Sequence, residues 1–493
     1  MRASGILMPI ASLPSPYGIG SFSKSAYDFI DQLKVAGQRF WQILPIGPTG
    51  YGDSPYQSFS TFAGNPYFID LDALVEEGLL TSDECEKYDY GDNPRYIDYE
   101  KIYLSRFKIL RKAFNRSNLS SNKNYINFKR DNKSWLEDYS LYMAIKDYNK
   151  GLSWITWDEE IKSRSSKAIE AYKVKLKDDI EFYNYIQFLF ATQWSKLKKY
   201  ANDNGIKIIG DIPIYVAFDS ADTWANPELF QLDEKQNPIA VSGCPPDAFS
   251  DDGQLWGNPL YKWNKHKETG FKWWIERIEY CFVLYDVVRI DHFKGFDEYY
   301  SIPYGERTAR NGKWEKGPGE DLFVAIKGAL GEQNIIAEDL GYITDTVRAL
   351  LKSTGFPGMK VLEFGFNSWE DSDYLPHNYE ANTVVYTGTH DNDTLVGWME
   401  NMSSEDRRFL LKYLNSNSKD NKKICWDIIC LAQQSISDMC IIPIQDYLGL
   451  GSESRINVPS TVGLNWKWRL LPEEIDNELL KEIYNITKVY GRI

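Results

Sequence analysis

Short apolar runs bounded by Gly, Pro or helix-start residues recur along this chain, and eight of them read as β-strands. They are Gly5–Ile10 (GILMPI), Arg39–Ile46 (RFWQILPI), Lys207–Val216 (KIIGDIPIYV), Asp286–His292 (DVVRIDH), Asn334–Leu340 (NIIAEDL), Met359–Phe366 (MKVLEFGF), Thr383–Asp391 (TVVYTGTHD) and Met439–Asp446 (MCIIPIQD). Most are continuous rather than alternating, the pattern of strands buried on both faces. Helical periodicity lies between them, over Lys24–Val35 before the second, Tyr183–Ala201 before the third and Gly319–Leu330 before the fifth. Repeated strand–helix units predict a parallel sheet, and eight of them predict an α/β fold closed as a single (β/α)8 TIM barrel over residues 1–493. Two gaps are too long for plain crossovers. Residues 47–206 read as a charged, aromatic, mainly helical insertion. Residues 217–285 are rich in Pro, Gly and Trp and read as an insertion containing a loop over the cleft. Insertions after barrel strands sit at the C-terminal face, where barrels bind ligands. The segment from 449 to 493 is too short for a separate domain, so no C-terminal β-sandwich is expected.

Charge narrows the partners. With 70 Asp and Glu against 56 Lys and Arg, the formal net charge is −14. Such a field repels nucleic acid and anionic membranes and is indifferent to a neutral ligand. No stretch approaches the roughly 18 apolar residues that would span a bilayer. The start of the chain runs straight into the first strand without a signal-peptide pattern. Six cysteines (Cys85, Cys244, Cys281, Cys425, Cys430, Cys440) form no CxxC pair and no framework spacing. A cytoplasmic enzyme acting as a monomer or weak homo-oligomer, with no membrane or nucleic-acid partner, is the expectation. Aromatic residues reach 15%; they fill cores, and they also stack on the CH-rich faces of sugar rings.

Acidic residues at the ends of several barrel strands are the candidate chemistry. The third strand carries Asp211, the fourth ends in Arg289-Ile290-Asp291-His292, the fifth in Ala337-Glu338-Asp339 and the seventh in Thr389-His390-Asp391-Asn392. A single Asp at a strand end is usually a cap or turn former; four such residues on four strands point to a site. Carboxylates gathered without metal ligands suit glycosyl transfer, one attacking the anomeric carbon and one, kept protonated, delivering a proton to the leaving oxygen. Asp291 is the natural nucleophile, because Arg289 two residues earlier shares its face and a nearby guanidinium favours an ionised carboxylate. Glu338 is the candidate acid/base, raised by surrounding acidic groups including Asp391, and Asp391 and His390 are candidate partners of sugar hydroxyls. No metal and no cofactor is expected: GxxxxGK[ST], GxGxxG after a strand and HExxH are all absent, and four histidines are scattered. Two of these, His266 and His377, read as surface or loop residues.

RIDHFKGF (289–296), IIAEDLG (335–341) and YTGTHDNDT (386–394) resemble the strand-end regions of the amylomaltases, the 4-α-glucanotransferases of glycoside hydrolase family 77 in the α-amylase clan. So do SLPSPYGIGSF (12–22), GDSPYQSFSTFAGNPY (52–67), IIGDIPIYVA (208–217), PPDAFSDDGQLWGNPLY (245–261), GSESRINVPST (451–461) and NWKWRL (465–470). The resemblance runs from Ser4 to Leu470. It implies that Asp291 forms a covalent glycosyl intermediate, that Glu338 is the acid/base and that Asp391 stabilises the transition state. It further implies that Arg289, His390 and Asp211 bind substrate beside the scissile bond. Tyr56 matches a tyrosine that stacks on the sugar, and Asp247, Phe249 and Trp256 match the loop over the cleft. The implied activity moves α-1,4-glucan segments to the 4-hydroxyl of an acceptor glucan or glucose, and also forms cyclic glucans. A retaining α-glucan hydrolase and an inactive glucan-binding protein are the alternatives. Lys294 stands where the family usually has Arg, and Cys244 where an apolar residue is commoner. The compact bacterial form is expected, without an added N-terminal module or transit peptide. Retention would place the two reacting carboxyls about 5–5.5 Å apart.

Overall fold

The computed structural model describes residues 2–50, 52–246, 251–341 and 343–493. Eight parallel strands form the barrel: β1 (Ala3–Leu7), β2 (Phe40–Gln42), β3 (Lys207–Ile212), β4 (Val287–Ile290), β5 (Ile335–Ala337), β6 (Gly358–Val361), β7 (Thr383–Tyr386) and β8 (Met439–Pro443). Their order is β6–β7–β8–β1–β2–β3–β4–β5, one (β/α)8 circuit. The ladders leave β5 and β6 at the two ends. That seam is closed by the Ala337 N–H donating to Pro357 O at 3.0 Å and by the Met359 N–H donating to Asp339 Oδ1 at 2.7 Å. A side-chain carboxyl thus takes the place of a strand carbonyl. The approach needs Gly358, since a Cβ there would stand 2.6 Å from Asp339 Oδ2.

Each apolar run overlaps its strand, two strands starting one or two residues earlier at Ala3 and Gly358, but pairing stops before burial does. In MKVLEFGF the ladder ends at Val361 and a 3-10 turn, Leu362–Gly365, follows. Beyond the strand Leu362 and Phe366 stay buried while Phe364 is exposed, and Phe366 packs on Trp398, Phe409 and Tyr413 at 6.2, 6.1 and 5.6 Å. Around it, the helix Lys24–Val35 buries Ala26, Phe29, Ile30 and Leu33, the spacing of one helical face. Phe29 meets Trp41 of β2 edge-on at 5.1 Å. The helices Tyr99–Arg116 and Lys133–Tyr148 and the long helix Lys177–Asp203 occupy the stretch between β2 and β3.

The region after β3 holds strands that the apolar pattern does not announce. Ala240–Cys244 and Gln254–Pro259 pair antiparallel, and Glu298–Pro303 and Lys313–Lys316 extend them into a four-stranded sheet. His266 departs from its expected surface position. It is fully buried, with Tyr261, Trp263 and Trp273 at 5.3, 5.4 and 6.0 Å. His377 is exposed as expected, with Nδ1 2.9 Å from the Tyr413 hydroxyl.

Candidate active site

Parallel pairing fixes the first contact. Asp211 of β3 and Arg289 of β4 are register partners, so their side chains meet laterally at the C-terminal mouth. Arg289 Nη1 donates to both Asp211 oxygens at 2.8 and 2.7 Å and to Asp291 Oδ1 at 3.1 Å. Asp211 is fully buried, Arg289 nearly so, and the Asp291 side chain is 29% exposed. Burial works against the charge of Arg289, but Asp211 and Asp291 outweigh it and push the guanidinium well above its ordinary range. One cation is therefore shared by two acids, with the more accessible acid facing the cleft.

Ladder-like bonds past the strand ends place the next pair. The Asp291 N–H donates to Ile212 O at 2.9 Å, the Glu338 N–H to Ile290 O at 3.0 Å and the Phe293 N–H to Glu338 O at 3.0 Å. His292 takes a left-handed φ of 53°, and its N–H donates to Glu338 Oε2 at 2.6 Å while Leu340 N–H donates to Oε1 at 2.9 Å. Burial, then Asp291, push the Glu338 carboxyl up to about 7, against the pull of Arg289 and the two backbone donors. Burial leads this shift, and the acidic neighbour that raises it is Asp291 rather than Asp391.

His390 and Asp391 stand after β7. Tyr56 links them to the buried ion pair: its hydroxyl lies 3.0 Å from Asp211 Oδ2 and 2.8 Å from His390 Nε2, and the two rings stack with centroids 5.3 Å apart. His390 Nε2 is 3.4 Å from Asp391 Oδ2. His390 Nδ1 is buried without a hydrogen-bond partner, a polar atom that a ligand hydroxyl would satisfy. Asp391 Oδ1 accepts from Asn457 Nδ2 at 2.6 Å, and Arg455 Nη2 donates to Asp391 O at 2.7 Å. Trp466 packs on both Tyr56 and His390 at 5.8 and 6.0 Å. It does so from a left-handed backbone (φ 65°), fixed by its N–H to Ile456 O at 2.7 Å and by the Tyr99 hydroxyl on its carbonyl at 2.8 Å. Asn457 and Trp466 lie in the runs GSESRINVPST and NWKWRL, where no local pattern marks either as a site residue. Only tertiary contact joins them to Asp391 and Tyr56.

The structure thus brings together Asp211, Arg289, Asp291, Glu338, Tyr56, His390 and Asp391. Trp256 lies nearby, edge-on to His292 at 4.8 Å, where burial holds the imidazole down to about 4. Asp247 and Phe249 lie outside the described residues. Among the described residues no group of three or more His, Cys, Asp or Glu side chains is arranged to hold a metal ion, and no helix is long and apolar enough to cross a membrane.

Known proteins are similar to this chain along its whole length. The 4-alpha-glucanotransferase family of glycoside hydrolases, family 77, matches residues 8–474. A 4-alpha-glucanotransferase of Clostridium butyricum is 50% identical over 487 residues, which is 98% of this chain and 100% of the relative. The chloroplastic/amyloplastic 4-alpha-glucanotransferase of Solanum tuberosum is 43% identical over 505 residues, covering 100% of this chain and 87% of the relative. Among solved structures, the amylomaltase of Streptococcus agalactiae in complex with acarbose superposes with a TM-score of 0.97 at 43% identity, over 100% of both chains. The amylomaltase of Corynebacterium glutamicum, 18% identical, shares the fold with a TM-score of 0.78, over 100% of this chain and 75% of that one. The chain belongs to the 4-alpha-glucanotransferase family.

Proposed function

We propose that this enzyme transfers α-1,4-glucan segments by double displacement, with Asp291 as nucleophile and Glu338 as acid/base. The observation that carries the reading is the unequal treatment of two neighbouring, half-buried carboxyls: Asp291 is ion-paired to Arg289, while Glu338 accepts two backbone N–H groups and is pushed up to about 7. An acid poised near neutrality exchanges its proton in both directions. In the first step Asp291 attacks the anomeric carbon from one face, the glycosidic bond breaks, and the Glu338 proton goes to the leaving oxygen. In the second, the Glu338 carboxylate takes the proton of the acceptor's 4-hydroxyl as that oxygen displaces Asp291. Asp391, oriented by Asn457, and His390, through its open Nδ1, hold hydroxyls of the donor sugar. Tyr56 packs against that ring, and Arg289 and Asp211 fix the floor beneath it.

Residues 47–206 serve in this reading as a helical subdomain, and residues 217–285, with Trp256, Asp247 and Phe249, as the cover over acceptor and donor. Excluding water there favours a sugar acceptor over hydrolysis. The neutral ligand suits the −14 net charge, and acarbose in the S. agalactiae relative supports a ligand of that kind in this cleft. One chain supplies every group, so a monomer suffices. Six thiols without a disulfide support a reducing, cytoplasmic setting.

Incubation with maltotriose, with products separated by chain length, tests the proposal. Longer maltooligosaccharides plus glucose, absent with Asp291→Asn, are the expected result. Glucose and maltose without longer products would replace transfer by hydrolysis. No turnover of either maltotriose or amylose would leave a glucan-binding protein.

A further inference from the structure

Two strand-end acids have no part in the chemistry above. Glu363 follows β6 in the turn Leu362–Gly365, and Asp446 follows β8 in the short helix Ile444–Leu448. Because the order is β6–β7–β8, they flank the end of β7 from either side. Both are buried, at 8% and 2% exposure. Asp446 is satisfied: Thr387 Oγ1 donates to one oxygen at 2.6 Å and the Leu395 N–H to the other at 2.9 Å. Glu363 is not. Its backbone N–H donates to Thr387 O at 3.2 Å, but Oε1 is buried without a partner and lies against Gly388, where a Cβ would stand 3.0 Å away. The groups around its carboxyl are the Asn392 side chain, the acids Asp446 and Asp393, and the cation of Arg455; Asn392 also crowds Gly388, its Cβ 3.1 Å from where a Cβ there would stand.

The orientation of Asn392 follows from its other end. Its Oδ1 accepts from Thr389 N and Thr389 Oγ1 at 3.0 and 2.8 Å. Thr389 Oγ1 accepts the Asp391 N–H at 3.3 Å. One packed series therefore runs from Glu363 across Gly388 to Asn392, and from Asn392 through Thr389 to the backbone of Asp391, with His390 held inside the turn.

We infer that Glu363 is a positioning residue for the transfer reaction, its side chain fixing the Thr389–Asn392 turn that presents His390 and Asp391 to the donor sugar. The inference rests on the proposed roles of those two residues. Glu363 acts in its protonated form. Burial and then Asp446 push its carboxyl well above the carboxylate range, and a neutral carboxyl packs against Gly388 while offering both a donor and an acceptor. An ionised Glu363 would set a second uncompensated charge beside Asp446 under the turn.

The test compares kcat and KM for maltotriose disproportionation in the wild type, Glu363→Gln, Glu363→Ala and Asp391→Asn. Glu363→Gln, which keeps the shape and the neutral donor–acceptor pair, is expected to stay within about threefold of the wild-type kcat. Glu363→Ala is expected to lose about 10- to 100-fold in kcat with KM changed by less than about threefold, because the turn acts on the transition state. A purely structural role would lower the melting temperature without that split and without rescue by Gln. Wild-type kcat in folded Glu363→Ala overturns the inference, as does a folded Glu363→Gln impaired by more than about threefold. If circular dichroism shows Glu363→Ala unfolded, the Gln variant decides by the same threshold. Asp391→Asn keeps the two readings apart: wild-type transfer by that variant would remove the proposed role of the turn itself, whatever Glu363 does.

Discussion

Glu338 carries its unusual acidity at a measurable expense in stability. In the unfolded chain the carboxyl titrates at its ordinary 4.5, and in the fold at about 7. Below pH 4.5 both states are protonated and the group contributes nothing. Between the two values the native state holds a proton that the unfolded state has released, so stability falls by about 1.4 kcal/mol for each pH unit in the window. From pH 5 to pH 8 the accumulated loss is about 2 to 3 kcal/mol. Glu338→Gln removes the titration. The amide offers one oxygen to the two N–H groups of His292 and Leu340, so one bond is lost, but at every pH alike. At 2.1 cal/mol/K per residue, 493 residues give an unfolding entropy of about 1 kcal/mol/K, so the loss reads as roughly 2–3 °C. Calorimetry on both proteins at pH 5 and pH 8 should therefore show the variant gaining about 2–3 °C on the wild type between the two conditions. The other buried acids titrate in both proteins and cancel. The same variant should lose about 10²- to 10⁴-fold in kcat. A melting difference that is the same at both pH values would refute the upward shift of Glu338, and with it the reason for assigning it as acid/base.

Three further outcomes follow from named contacts. Asn457→Ala removes a 2.6 Å bond to Asp391; a hydrogen bond to a charged group is worth about 1.5–3 kcal/mol, so kcat should fall about 10- to 100-fold with KM little changed. Arg289→Met leaves the fully buried Asp211 without its cation, and calorimetry should show about 3–5 kcal/mol of destabilisation at neutral pH. Arg492 is fully buried and donates to Gln433 O at 2.7 Å, Ser435 O at 2.9 Å and Ala3 O at 3.2 Å; Arg492→Ala should lower the melting temperature by several degrees, each kcal/mol being about 1 °C here, while kcat at moderate temperature stays unchanged.

The barrel was legible because strands buried on both faces leave uninterrupted apolar runs, and the acids at their ends break those runs conspicuously. The spacing of Arg289 and Asp291 was enough to place both on one face, and the structure joins them at 3.1 Å. Strand ends were less legible. Burial continues past the last ladder bond, so TVVYTGTHD looks like one strand although pairing stops at Tyr386. The four-stranded sheet was hidden for the opposite reason: Lys313–Lys316 (KWEK) and Gln254–Pro259 (QLWGNP) are short and partly exposed, and no apolar period marks them. His266 looked like a surface residue among lysines, but its partners come from aromatic residues both before and after it. Asn457 carried no local signal, because its contact with Asp391 spans 66 residues.

Charge balance connects these features. Asp211, Asp291 and Glu338 crowd around a single cation, Arg289. Two of the acids touch the guanidinium directly, and the third receives backbone N–H donors instead. A buried acid without its own cation lowers its free energy by holding a proton. Glu338 is thus made a proton donor by the same crowding that gives Asp291 its partner, and the barrel register that sets Asp211 against Arg289 fixes which acid is left over. The pattern recurs one strand away. Asp446 receives the available donors, and Glu363 is left buried against Gly388 with Oε1 unpartnered. In the first case the leftover proton faces the cleft and serves the reaction; in the second it faces the underside of the turn that carries Asp391. The position of each uncompensated acid relative to the barrel mouth separates chemistry from positioning.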